Sequence, residues 1–238
     1  MSSAKDPRAI EQEIETVYRL YAGLARFMRP ETGLGGSLLY GGEPDEDGTP
    51  LLRAANIGGA ASLAAAADPG LLHRAMREGA IDFVVSSLDE ALRILKNEIR
   101  KKQPVAVGVS VGPESLPDAM KERGVQPDLL APSLPSHPAI AEFRARGAQT
   151  VEPQTPAPDS SVQVLAIPAE WKLPLSALDA LFLESLAPGD EVNRRWVRLA
   201  PRYLGSRARR FRAIACAADT ASDLRRRIQA ALENQPGF

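Results

Sequence analysis

Residues 61–111 read ASLAAAADPGLLHRAMREGAIDFVVSSLDEALRILKNEIRKKQPVAVGVSV, and this stretch decides the fold. Three apolar runs, at 61–66, 83–85 and 105–111, are rich in small and β-branched residues and predict strands. Between the first two, Asp68-Pro69 pairs an N-cap residue with a first-turn proline, opening a helix that stops at Gly79. Between the second and third, Ser87-Leu88-Asp89-Glu90 is a capping box that opens a helix running to about Arg100. Strands separated by helices need crossover connections, and crossovers make parallel sheets.

The same alternation continues outward. Upstream, Ser37 to Tyr40 predicts a strand, the acidic stretch GGEPDEDGTP at 41–50 a loop, and residues 51–57 a helix ending at Gly58-Gly59. Downstream come a helix over 115–123, a strand at Leu129 and Leu130, a helix over 138–146 and a strand at Thr150 and Val151. The expected class is α/β: a Rossmann-like, doubly wound, mostly parallel sheet with helices on both faces. Ahead of it, Asp6-Pro7 opens a long helix in which Ile10, Ile14, Val17, Tyr21, Leu24 and Met28 recur at helical spacing, ending near Pro30. After it, residues 153–161 (PQTPAPDSS) read as a linker. The tail holds strands at 162–167 and 211–215 and helices at 175–186, 191–204 and one starting at Thr220 or Ser222. One strand pair cannot form its own core, so this C-terminal α/β extension is expected to pack on the sheet or, more naturally, to lengthen it. The division is thus 1–34, 35–153 and 154–238.

Composition narrows the classes of function. Aromatic residues are 5% of the chain, so the core rests on Ala, Leu, Val and Ile. A single cysteine, Cys216, makes no internal disulfide, and its apolar run reads as core rather than as a nucleophile. No stretch is long and apolar enough to span a membrane, and the polar start MSSAKDPRAIEQEIE is no signal peptide, so a cytoplasmic location is expected. No Cys/His cluster has metal-ligand spacing, and the acidic 43–47 turn lacks the ligand spread of a calcium loop. Charge is uneven: residues 188–238 carry eleven Arg against five Asp or Glu, a local +6 that leaves −7 on the rest. Arg195, Arg198 and Arg202 share a helical face and are candidate anion-binding residues. Pairing with the acidic remainder, within the chain or across a dimer, is the favoured account of these arginines. With a pI near 6.2, nucleic acid is not the expected partner.

Two long runs carry a resemblance. AANIGGAASLAAAADPGLLHRAMREGAIDFVVSSLDEAL (54–92) and GVSVGPESLPDAMKERGVQPDLLAPSLPSHP (108–138) resemble the central Rossmann-like domain of urocanase, and RARGAQTVEP (144–153) extends the likeness more weakly. It covers roughly 35–153. Urocanase uses tightly bound NAD as an electrophile in hydrating urocanate. Its central domain holds that cofactor, while its other domains supply a catalytic cysteine and substrate contacts. Those other domains are expected to be absent here, and Cys216, outside the resemblance, takes no catalytic role from it.

The cofactor positions depart from the family pattern. Where the family has a glycine-rich turn, this chain has Glu43-Pro44-Asp45-Glu46-Asp47. A pyrophosphate needs close backbone approach and free amides, whereas four carboxylates repel it, each at a cost on the order of 1 kcal/mol at about 7 Å. The glutamate that would hold ribose hydroxyls is Ala66, and of the family's ligand stretch at 133–137 only His137 remains. His73 is an ordinary surface or packing residue. The expectation is therefore a non-catalytic, urocanase-derived module with no catalytic residues and NAD binding lost. It would bind a small molecule or a protein partner at the sheet's carboxyl edge, with Gly41, Gly42, Asp68, Ser136 and His137 as candidate contacts. A homodimer through the apolar-faced N-terminal helix would cover that face. The alternatives are an NAD-dependent, urocanate hydratase-like lyase completed by another chain, and an anion or nucleic-acid binder working through the arginine tail.

Overall fold

The computed structural model describes residues 6–155, 160–168, 171 and 173–233. Two compact units emerge: Leu20–Pro153, and Met1–Arg19 together with Gln154–Phe238. Helix α1 (Pro7–Ala25) runs across the division.

In the first unit, β1 (Leu38–Gly42), β2 (Ala61–Ala65), β3 (Phe83–Val85), β4 (Val105–Val109), β5 (Leu129–Leu130) and β6 (Gln149–Thr150) form one sheet. Its order is β3-β4-β2-β1-β5-β6, and every neighbouring pair is parallel. The intervening helices are α2 (Gly48–Gly58), α3 (Pro69–Arg77), α4 (Leu88–Lys101), α5 (Leu116–Glu122) and α6 (Pro138–Ala145). They cover both faces, as the doubly wound expectation requires. On one face Tyr40, Leu63, Val107, Val109 and Leu130 pack against Leu92 and Leu95 of α4, Met120 of α5 and Phe143 of α6. On the other, Ala64, Ala66 and Ala106 pack against Leu52 of α2 and Leu72 and Ala75 of α3.

The second face is built from small residues, and that sets how near its helices come. A Cβ on Gly108 would stand 2.7 Å from Cδ2 of Leu72, and one on Gly41 would stand 2.9 Å from Cδ2 of Leu52. Large side chains supply burial on the first face, at about 1.5–3 kcal/mol for each Leu or Val. Close backbone approach supplies it on the second.

The helix starts follow the capping chemistry. The Asp6 carboxylate accepts from the Arg8 amide at 3.1 Å and Asp68 from Gly70 at 2.8 Å. Ser87 Oγ accepts from the Glu90 amide at 3.3 Å, while the Glu90 carboxylate reaches one residue further back, to the amide and hydroxyl of Ser86. Helix α1 ends earlier than its apolar spacing suggests. The Phe27 and Met28 amides bond back three residues, to Leu24 and Ala25, and tighten the chain out of the helix.

The second unit corrects one expectation. Strands β7 (Ser160–Ala166) and β8 (Phe211–Ala217) do not lengthen the parallel sheet; they pair antiparallel with each other as a separate two-stranded sheet. Their core comes from helices instead: α7 (Leu175–Ser185), α8 (Glu191–Leu204) and α9 (Ala218–Glu233) bury Phe182, Trp196, Leu224 and Ile228. The first half of α1 adds Ile14, Val17 and Tyr18. Tyr18 donates to Asn193 Oδ1 at 2.6 Å and meets the Trp196 ring edge-on at 4.9 Å. Ile10, Ile14, Val17, Tyr21 and Leu24 of the α1 stripe are buried. The linker at 153–161 lies partly outside the described residues.

Gly23 of α1 is a sharp test of this packing. Its Cβ would fall 2.0 Å from the Glu152 carbonyl oxygen. Alanine for glycine inside a helix ordinarily gains about 1 kcal/mol. Here Gly23→Ala should instead lower unfolding free energy by about 1–3 kcal/mol in a denaturant titration, and a gain would contradict the close crossing.

Candidate functional site

In open α/β sheets, ligands sit outside the carboxyl ends of strands whose connections depart in opposite directions. The chain leaves β1 toward β2 and leaves β5 toward β6, so the switch point lies between β1 and β5. The β1 side presents buried Gly41 and Gly42, then the acidic turn. The β5 side presents residues 131–137. The next strand end, after β2, carries exposed Asp68. The topology thus sets the five candidate contacts along one edge of three adjacent strands.

Their local roles are mostly structural. Gly42 has φ of +71°, a conformation that disfavours any side chain, and a Cβ there would lie 2.8 Å from Cδ2 of Leu134. An aliphatic side chain therefore lies against the glycine at the carboxyl end of β1. His137 caps α6: its Nδ1 accepts from the Ala139 amide at 3.2 Å, and its Nε2 stands 3.7 Å from Asp118 Oδ2. Ser136 is exposed beside it. Asp68 spends its carboxylate on α3, as described above. Among the described residues, no three His, Cys, Asp or Glu side chains gather where a metal ion could sit.

The acidic turn carries a feature that charge counting alone misses. One oxygen of the Asp45 carboxylate accepts from the amides of Asp47 at 3.0 Å and Gly48 at 2.8 Å. The Thr49 amide bonds to the Asp45 carbonyl and the Thr49 hydroxyl to the Pro44 carbonyl. A Cβ on Gly48 would fall 1.9 Å from the Glu43 carbonyl oxygen, so the turn is folded tightly on itself. The N-terminus of α2 is an anion site by geometry and dipole, and the chain's own carboxylate lies on it. A carboxylate three residues before Gly48, followed by Thr49-Pro50, was the legible signal.

Just inside this edge, Tyr40 donates to the Pro113 carbonyl at 3.1 Å and is 1% exposed. Burial, aided by the Glu114 charge, pushes its phenol well above the ordinary value. Cys216 lies elsewhere, on β8, its thiol pushed up by burial against a smaller opposing effect of Arg225. Helix α8 holds Arg198 and Arg202 exposed and Arg195 half-buried, with the Arg202 guanidinium 5.3 Å from the Tyr203 ring centre. Three tail arginines pair with acidic residues of the same unit: Arg207 with Glu13 at 2.8 Å, Arg212 with Asp179 at 2.5 Å and Arg227 with Glu184 at 3.4 Å.

Residues 47–158 match the urocanase Rossmann-like domain. The urocanase-like segment starts at Asp47, next to α2, and takes in every later strand of the parallel sheet. Strand β1 and most of the acidic turn precede it, and α7, α8, α9 and the β7–β8 sheet follow it. Among the described residues no helix is long and apolar enough to cross a membrane.

Tyr40 gives a pH-dependent readout of this edge. Its phenol ionises less readily in the fold than in the unfolded chain, where the value is about 10. The stability it contributes is therefore complete below pH 10 and lost as pH rises above it. Melting temperature should fall through that alkaline range, and Tyr40→Phe should flatten part of the fall; Tyr18 and Cys216, also raised by burial, contribute to the remainder. An unchanged slope in Tyr40→Phe would contradict the buried phenol.

Proposed function

We propose that the urocanase-like sheet serves this protein as a non-catalytic binding module that has given up NAD. The observation that carries this is Asp45. A dinucleotide places its diphosphate on helix N-terminal amides, and here a tethered carboxylate already takes those of Asp47 and Gly48. An incoming diphosphate would have to displace it while facing Glu43, Glu46 and Asp47. Leu134 adds an aliphatic wall over Gly42, and Ala66, fully buried, offers no carboxylate for ribose hydroxyls. The residues do not fit the cofactor, and no step of urocanate hydration is routed through it. The ligand this edge suits is a small molecule without a diphosphate, reached by exposed Ser136 and Asp68 and by the His137 imidazole at the carboxyl end of β5.

Native mass spectrometry of the purified full chain, with calorimetric titration of NAD, tests the proposal. The expected result is the bare polypeptide mass and no binding heat. Bound dinucleotide, or loss of urocanate absorbance on mixing, would overturn it in favour of a lyase. Asp45→Ala should cost about 1 kcal/mol of stability through the lost cap, read by denaturant titration. A neutral effect would remove the argument from Asp45.

A further inference from the structure

The second unit holds an unusual sheet edge. The Ile167 amide donates to the Arg210 carbonyl at 2.6 Å, which marks 167 and 210 as a hydrogen-bonded pair. In an antiparallel ladder such pairs alternate with non-bonded ones. Following the register back, Leu165–Arg212, Gln163–Ile214 and Ser161–Cys216 are bonded pairs, whereas Val164–Ala213 and Val162–Ala215 are not. The amides and carbonyls of Val162 and Val164 therefore point away from β8, to the outer edge of β7. The corresponding outward carbonyls of β8 are closed: Ala213 accepts from Trp196 Nε1 at 2.8 Å and Ala215 from Asn193 Nδ2 at 3.3 Å. Among the described residues, nothing bonds the outward groups of Val162 and Val164.

Edge strands in native proteins are kept short or guarded by charge, proline or a bulge. The parallel sheet obeys this, its edges being the three-residue β3 and the two-residue β6. Strand β7 has seven residues, SSVQVLA, with no charge and no proline, and Val162, Val164 and Leu165 are half-exposed. Arginines stand near it at two points. Exposed Arg225 of α9 holds Gln163 Oε1 at 2.7 Å, which fixes a guanidinium beside the middle of the strand. Exposed Arg210, with Arg209 before it, stands opposite Ile167 at the strand's end. Gln163 and Ile167 are four residues apart, about 13 Å along an extended chain.

We propose that β7 is a docking edge for an extended acidic peptide segment of another protein, which adds a third strand to this sheet. Main-chain bonds to Val162 and Val164 supply the attachment, and acidic side chains about four residues apart meet Arg225 and Arg210. A second copy of the chain suits the edge less well, because two-fold pairing about Gln163 would bring the two Arg225 side chains toward each other. This surface lies outside the urocanase-like residues and stands apart from the proposal for the parallel sheet.

The test is fluorescence anisotropy of the full chain with a labelled, capped Val/Thr peptide bearing two glutamates four residues apart. Saturable binding that weakens with salt is expected. Arg225→Glu and Arg210→Glu should each weaken it by about five-fold or more, and lysines in place of the two glutamates should abolish it. N-methylation of alternate peptide amides should abolish binding in one register and spare it in the other, a readout that leaves the protein untouched. No binding at millimolar peptide, or binding indifferent to both N-methyl registers, would overturn the proposal. So would a dimer in sedimentation that Val164→Lys converts to monomer, since the occupant would then be a second copy.

Discussion

The parallel sheet depends on an asymmetry between its two faces. Leucines and valines fill the face toward α4, α5 and α6, and alanines and glycines line the one toward α2 and α3. With so little side chain beneath it, α2 lies close over β1 and β2, as the contact of Leu52 with Gly41 records. That depth fixes the rest of the edge. The connection from β1 into α2 must turn within a few residues, the turn closes on Gly48, and a side chain in it lies within reach of the helix amides. Asp45 takes that place.

A helix N-terminus satisfied by a tethered carboxylate differs in kind from one left open. In the open case water, or a phosphate group, meets the first amides, and the helix dipole favours binding. In the closed case the same dipole stabilises the fold. Any anion must then compete with a group whose local concentration is set by covalent attachment. The three other carboxylates of the turn raise the barrier further. The packing of the sheet does not involve this turn: both faces are covered by its own helices.

Sheet class and most helix boundaries were legible because local and long-range signals agreed; the exceptions are α1, which ends at Ala25, and α2, which starts at Gly48 inside the stretch expected to be loop. The 61–111 stretch states strand, cap, helix and stop twice in succession, and no tertiary effect opposes it. Asp6, Asp68 and Ser87 act as the caps their positions suggest. What the sequence could not show is which partner a local signal takes. Counting carboxylates in 43–47 gave repulsion, whereas one of them is spent on backbone amides. The stripe on α1 gave an unpartnered face, whereas Trp196 and Asn193, some 175 residues away, meet Tyr18. Arginines at helical spacing on α8 gave a charged face, yet Arg207 and Arg212, off that spacing, make the buried pairs with Glu13 and Asp179.

The expectation that β7 and β8 extend the parallel sheet failed for a physical reason that bears on the second unit. The premise that two strands cannot make a core holds only for strands alone. Here three helices and the first turns of α1 supply the apolar mass, and the pair contributes mainly one buried strand, β8. That arrangement uses the inner strand fully and leaves the outer one half-solvated. It also explains why the two edges differ. β8 lies against α8, whose Trp196 and Asn193 close its carbonyls as part of packing the core, while the outward groups of Val162 and Val164 in β7 have no hydrogen-bond partner among the described residues. An uncharged strand kept in that position retains its capacity to pair, and the arginines beside it bias that pairing toward acidic chains.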